Sequence, residues 1–122
     1  MKSMFYKNKN SQIEFEAGDL TKLKELVHPL KDNVNIGYSL AEARLSPGES
    51  SLSHRLSSTE LYYILDGFGE IFIDEVSQKI SKGDVVLVPA NADQFVKNTG
   101  HTDLVFLCIV EPYWKEQDEE II

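Results

Sequence analysis

The sequence predicts an all-β domain, a closed barrel or sandwich of short antiparallel strands, and three observations support this. Beyond residue 34 the chain breaks into strand-length runs rich in β-branched and aromatic residues. Gly-containing turns separate the runs at intervals of about ten residues, the rhythm of sandwiches and barrels. The whole chain of 122 residues suits one domain with its own core, so a metal would be functional rather than a structural staple.

Taken in order, residues 1–33 are an N-terminal arm. Within it, "DLTKLKELVHPL" places Leu20, Leu23, Leu26, Val27 and Leu30 three and four residues apart, which predicts an amphipathic helix over about 19–29. Asp19 is its expected cap, and Pro29 is expected to end it at His28. Residues 34–112 carry the barrel, with strands expected in "NIGYSLAEARL", "ELYYILD", "GEIFIDE", "DVVLVPA", "QFVKN" and "LVFLCIV". The turns between them include "SPGES", "LDGFGE" and "SKGDV". Residues 113–122 read as an acidic C-terminal tail, solvated as charge runs commonly are.

The net charge of −8 repels polyanions, so neither nucleic acid nor an anionic membrane surface is an expected partner. The single cysteine, Cys108, sits in an apolar strand and reads as a buried, unreactive thiol. The first residues lack the apolar core of a signal peptide, and no apolar run is long enough for a membrane helix. A soluble cytoplasmic protein is therefore the expectation.

Two blocks carry the chemistry. The first runs Gly48, five residues, His54, one residue, Leu56, three residues, Glu60, six residues, Gly67. The second runs Gly83, five residues, Pro89, then Asn91, Gln94 and Asn98. Strand alternation puts positions 54 and 56 on one face, and a turn through "SST" brings Glu60 back beside them. By themselves His54 and Glu60 suit a divalent ion only weakly, and an exposed loop histidine with Glu60 paired to Arg55 is an equally simple reading.

Together the two blocks resemble the paired motifs of the cupin superfamily, specifically its small single-domain members of the cupin type 2 kind. Gly48, His54, Glu60, Gly67, Gly83, Pro89 and Asn98 match; Leu56 stands where the family has a second His, Asn91 where it has Gly, and Gln94 where it has a third His. The resemblance implies a jelly-roll barrel, also described as a double-stranded β-helix, usually homodimeric, with one divalent metal ion inside. Carried over residue by residue, the metal set is His54, Glu60 and Gln94, a partly altered site holding Zn, Fe, Mn or Ni weakly. Asn91 is a mild departure, since Asn tolerates left-handed torsions.

If Glu60 points inward, so do Tyr62 and Ile64, and if Gln94 does, so does Val96. Tyr62 is then the candidate for a hydroxyl that touches substrate. Two functions follow from the resemblance. One is a metal-dependent enzyme of dioxygenase or isomerase type acting on a small polar or sugar-like molecule; the other is a metal-free small-molecule binding module without catalysis. The isomerase option lacks an Arg and Lys cluster, since Arg44 and Arg55 are the only arginines.

Overall fold

The computed structural model describes residues 3–122, and it consists of two antiparallel sheets facing one another. The strands are β1 (Phe15–Glu16), β2 (Lys22–Val27), β3 (Ser39–Leu45), β4 (His54–Leu56), β5 (Thr59–Asp66) and β6 (Phe68–Ile73). They continue with β7 (Val76–Ser81), β8 (Val85–Val88), β9 (Asp93–Asn98), β10 (Leu104–Glu111) and β11 (Glu119–Ile121). One sheet has the order β1-β2-β3-β10-β5-β8, the other β11-β4-β9-β6-β7. Among the described residues no helix is long and apolar enough to cross a membrane.

Alternation decides which side chains meet between the sheets. In β10, Leu104, Phe106, Cys108 and Val110 are buried while the residues between them are half-buried. In β5 the buried set is Glu60, Tyr62 and Ile64. These pack against Ile71, Ile80 and Val96 of the opposite sheet, a layer of β-branched and aromatic side chains that fits a pleated surface. Tyr62 stacks on Phe106 with ring centroids 5.1 Å apart.

The turns hold the motif residues in place. Gly67 has φ +90°, and a Cβ there would lie 2.5 Å from the Asp103 carbonyl oxygen, so only glycine fits. Asn91 takes φ +68°, the left-handed conformation that Asn accepts most readily after glycine. Asn98 is buried and donates through Nδ2 to the carbonyls of Leu45 (2.9 Å) and Thr102 (2.8 Å), while its Oδ1 accepts from the Gly100 N–H (2.9 Å). One amide side chain thereby ties the end of β3 to the turn between β9 and β10.

The helix expected over 19–29 is not formed. Leu20 has φ +76°, which interrupts any helix there, and Asp19 Oδ1 accepts from the Thr21 N–H (3.1 Å) and hydroxyl (2.7 Å) as a turn rather than a cap. Lys22–Val27 instead pairs antiparallel with β3, satisfying backbone groups that β3 would otherwise expose at a sheet edge. Tertiary pairing overrides the three-and-four spacing of the leucines. Pro29, expected to end a helix, begins the short helix α1 (Pro29–Asp32), capped by the His28 side chain accepting from the Leu30 N–H. The arm is thus part of the large sheet. At the other end Glu119–Ile121 pairs with His54–Leu56, so residues assigned to a solvated tail complete the smaller sheet.

Candidate functional site

The two sheets enclose a cavity of about 310 Å3 at the end where both chain termini add their strands. The smaller sheet supplies His54 and Leu56 from β4 and Gln94 from β9, with His54 directly opposite Gln94 in register. The larger sheet supplies Glu60 and Tyr62 from β5 and, opposite Tyr62, Cys108 from β10. His54, Leu56, Glu60, Tyr62 and Cys108 line the cavity, and all are buried. The half-buried Asp19, Trp114 and Glu119 form its mouth, with the buried Thr21 behind Asp19. Asp19 is anchored by its carbonyl, which accepts from the Leu52 N–H at 2.8 Å.

The polar end is asymmetric. His54 Nδ1 lies 2.8 Å from the Leu52 carbonyl, so Nδ1 donates its proton there and Nε2 is the ring nitrogen left toward the cavity. That Nε2 stands 3.8 Å from Asp19 Oδ2. The Tyr62 hydroxyl donates to Gln94 Oε1 at 2.5 Å, which occupies one of the two lone pairs of that oxygen. Among the described residues Glu60 Oε1 has no hydrogen-bond partner, although it is buried. Arg55, the alternative partner for Glu60, instead reaches Asp93 at 2.6 Å.

Burial pushes the Glu60 carboxyl up to about 7; His54 opposes the rise, Asp19 adds to it, and contacts from Gln94 and Cys108 pull it back slightly. Burial likewise holds the Tyr62 hydroxyl and the Cys108 thiol well above their ordinary ranges, with the Glu60 charge reinforcing both. Cys108 is therefore a protonated, inert thiol. Glu119 is also raised by burial, with His54 opposing and Asp19 adding.

Among the described residues there is no cluster of three or more His, Cys, Asp and Glu side chains arranged to hold a metal ion. The atoms without a hydrogen-bond partner on the cavity wall are His54 Nε2, Glu60 Oε1 and Asp19 Oδ2, while Gln94 Oε1, behind the wall, keeps a second lone pair. Leu56 lines the cavity and contributes no donor. An imidazole whose far nitrogen is held by a carbonyl, next to an orphaned carboxylate, suits a divalent ion, but the set is short of a closed coordination shell.

Asp19, Glu119, Trp114 and Cys108 were not anticipated at the site. The first three lie in segments read as arm and tail, and only strand pairing brings them to the mouth. Cys108 was legible as inward, since it alternates with Phe106 and Val110.

The sequence model described as "Cupin domain" matches residues 41–110. An uncharacterized protein of Methanocaldococcus jannaschii is 35% identical over 103 residues, covering 82% of this chain and 80% of its own. An oxalate-binding protein of Thermotoga maritima is 33% identical over 89 residues, covering 70% of this chain and 74% of its own. Among solved structures, that of a predicted oxalate decarboxylase from Thermotoga maritima superposes with a TM-score of 0.77 at 23% identity, over 88% of this chain and 98% of that one. The paired motifs, the two facing sheets and these similarities agree, and the chain belongs to the cupin family.

Proposed function

We propose that this chain is a small-molecule-binding cupin whose cavity takes a compact ligand, with the ligand's polar part against His54 and Glu60. The observation that carries this reading is Glu60 Oε1, buried and unpartnered on the wall of an open cavity. Buried carboxylate oxygens are paired in folded proteins because leaving one bare is costly, and an occupant of the cavity supplies the partner. Leu56, Ala43 and Phe106 form an apolar wall for the rest of the ligand. Tyr62, the candidate for contact with a reacting ligand, is a protonated hydroxyl committed to Gln94, so it serves as a neutral donor and positioner rather than a base.

A divalent metal ion on His54, Glu60 and Gln94 is the second reading, favoured by the free Nε2 of His54 beside the orphaned carboxylate. One imidazole, one carboxylate and one amide oxygen would hold Zn, Fe, Mn or Ni weakly. When bound, the ion supplies a Lewis acid and a positive charge. A dicarboxylate ligand, the class suggested by the oxalate-binding relative, needs that charge, because Asp19, Glu60 and Glu119 face the cavity. Dioxygenase or isomerase chemistry would belong to this reading alone.

The homodimer expected of the family would bury the outer face of the large sheet. There Tyr63, Val85 and Leu87 are exposed and lie in one patch with Leu61, Leu107 and Ile109. A chain with net charge −8 associates with itself through such an apolar patch rather than through its charged surface.

Metal analysis and ligand calorimetry on the same purified protein test these readings. The first expects compact ligands to bind chelator-treated wild type and not Leu56→Trp, which fills the cavity. Stoichiometric metal in wild type, lost in both His54→Ala and Glu60→Ala, would establish the second. Failure of the chelated protein to bind any compact ligand removes the first.

A further inference from the structure

We infer that the ligand is a small organic cation, an alkyl or arylalkyl amine whose ammonium group is held by Glu60, His54 and Asp19. The inference rests on the small-molecule reading above and adds the charge of what is bound.

The charges that line the cavity are unbalanced. Glu16 and Glu25 are already matched at its edge, by Lys22 (2.6 Å) and Lys31 (2.8 Å). Among the described residues Asp19, Glu60 and Glu119 have no Lys or Arg partner; of the basic side chains that line the cavity, Lys31 is matched to Glu25 and His54 stands beside Asp19. Both arginines of the chain are committed elsewhere, Arg44 to Glu14 and Asp103 and Arg55 to Asp93. An anionic ligand would therefore enter a negative cavity with nothing to receive it, whereas a cation is drawn in. The acidic lining is joined by an independent feature: Glu60 is only 7% exposed, and its Oε1 has no partner at all.

The acceptors suit an ammonium group in particular. Among the described residues Glu60 Oε1 has no hydrogen-bond partner, and His54 Nε2 and Asp19 Oδ2 are the atoms left over once Nδ1 has donated to the Leu52 carbonyl and Oδ1 has accepted from Thr21. The 3.8 Å between His54 Nε2 and Asp19 Oδ2 is too long for a direct hydrogen bond, and a donor shared between them closes it. A primary ammonium has three N–H donors and no acceptor, which answers three acceptors. The lining also includes the aromatic side chains of Phe15, Phe106 and Trp114, a residue type that favours a cation and the hydrocarbon attached to it. A cavity of about 310 Å3 limits the ligand to a compact molecule.

Calorimetric titration of the full chain, treated with chelator at neutral pH, tests the inference with butylamine, phenethylamine, butan-1-ol, butyrate and malonate as probes. The amines are expected to bind at least about tenfold tighter than the alcohol, and the two acids not to bind. Glu60→Gln and Asp19→Asn are each expected to weaken amine binding by about tenfold or more. Asp19→Asn, at the mouth, keeps the test decisive if the buried substitution impairs folding. Equal binding of alcohol and amine overturns the ammonium assignment while leaving the small-molecule reading intact, whereas no binding by any probe removes that reading itself. Malonate binding that appears only when Zn or Mn is added assigns the Glu60 partner to a metal and overturns the inference.

Discussion

Replacing Glu60 by Gln keeps the shape of the side chain and removes its charge. Burial raises the carboxyl from an ordinary 4.5 to about 7, with His54 opposing and Asp19 reinforcing. A carboxyl with a raised folded pKa holds its proton more tightly folded than unfolded, so stability declines as pH climbs through that window. The cost is absent below 4.5 and complete above about 7. Each tenfold in acid strength is worth about 1.4 kcal/mol, so the displacement from 4.5 to about 7 amounts to about 3 kcal/mol. Urea unfolding, followed by the fluorescence of the single tryptophan, Trp114, in the presence of chelator, reads this directly. Wild type and Glu60→Gln should have similar stability near pH 4, and the variant should be the more stable by about 2–3 kcal/mol near pH 8. A gap that does not change with pH, or a wild type more stable than the variant at pH 8, would refute the reasoning. The second result would mean that the folded, unliganded protein already gives Glu60 a cationic partner.

Leu56→His adds an imidazole on the cavity wall and should tighten Zn binding by at least about tenfold in competition with a chromophoric chelator. Unchanged affinity would mean that position 56 does not reach His54 and Glu60. Gly67→Ala should cost about 3 kcal/mol or more in thermal or urea unfolding, since its Cβ meets the Asp103 backbone at 2.5 Å in a left-handed conformation. Asn98→Ala strips hydrogen bonds from the Leu45 and Thr102 carbonyls and the Gly100 N–H, and should cost about 2–4 kcal/mol in the same assay. Leu87→Asp, on the exposed patch, should leave unfolding nearly unchanged and yield a monomer by light scattering where wild type is a dimer; a dimer in the variant moves the interface elsewhere.

The barrel was legible because its determinants are local. Alternation in "ELYYILD" and "LVFLCIV" follows from the two-residue period of a strand, and each run has one face buried against the opposite sheet. Gly67 and Asn91 sit at turns whose torsions few residues accept, so their spacing survives in the sequence as a motif. The segment 19–29 misled because its leucines fit a helix as well as a strand. The edge of β3 decided between them, and that edge is a long-range property.

The sequence by itself determined the family, the inward positions of β5, β9 and β10, and the departure of Leu56 and Gln94 from the family pattern. The inward positions follow from the two-residue period of the strands, and the family and the two departures from the resemblance of the paired blocks to the cupin motifs. Only the tertiary structure decided that Tyr62 engages Gln94, that Glu60 is left without a partner, and that Asp19 and Glu119 close over it. Those relations join residues about 30 to 100 positions apart, through strand pairings that the termini make with β3 and β4, and burial between the sheets turns them into the charge that selects a ligand.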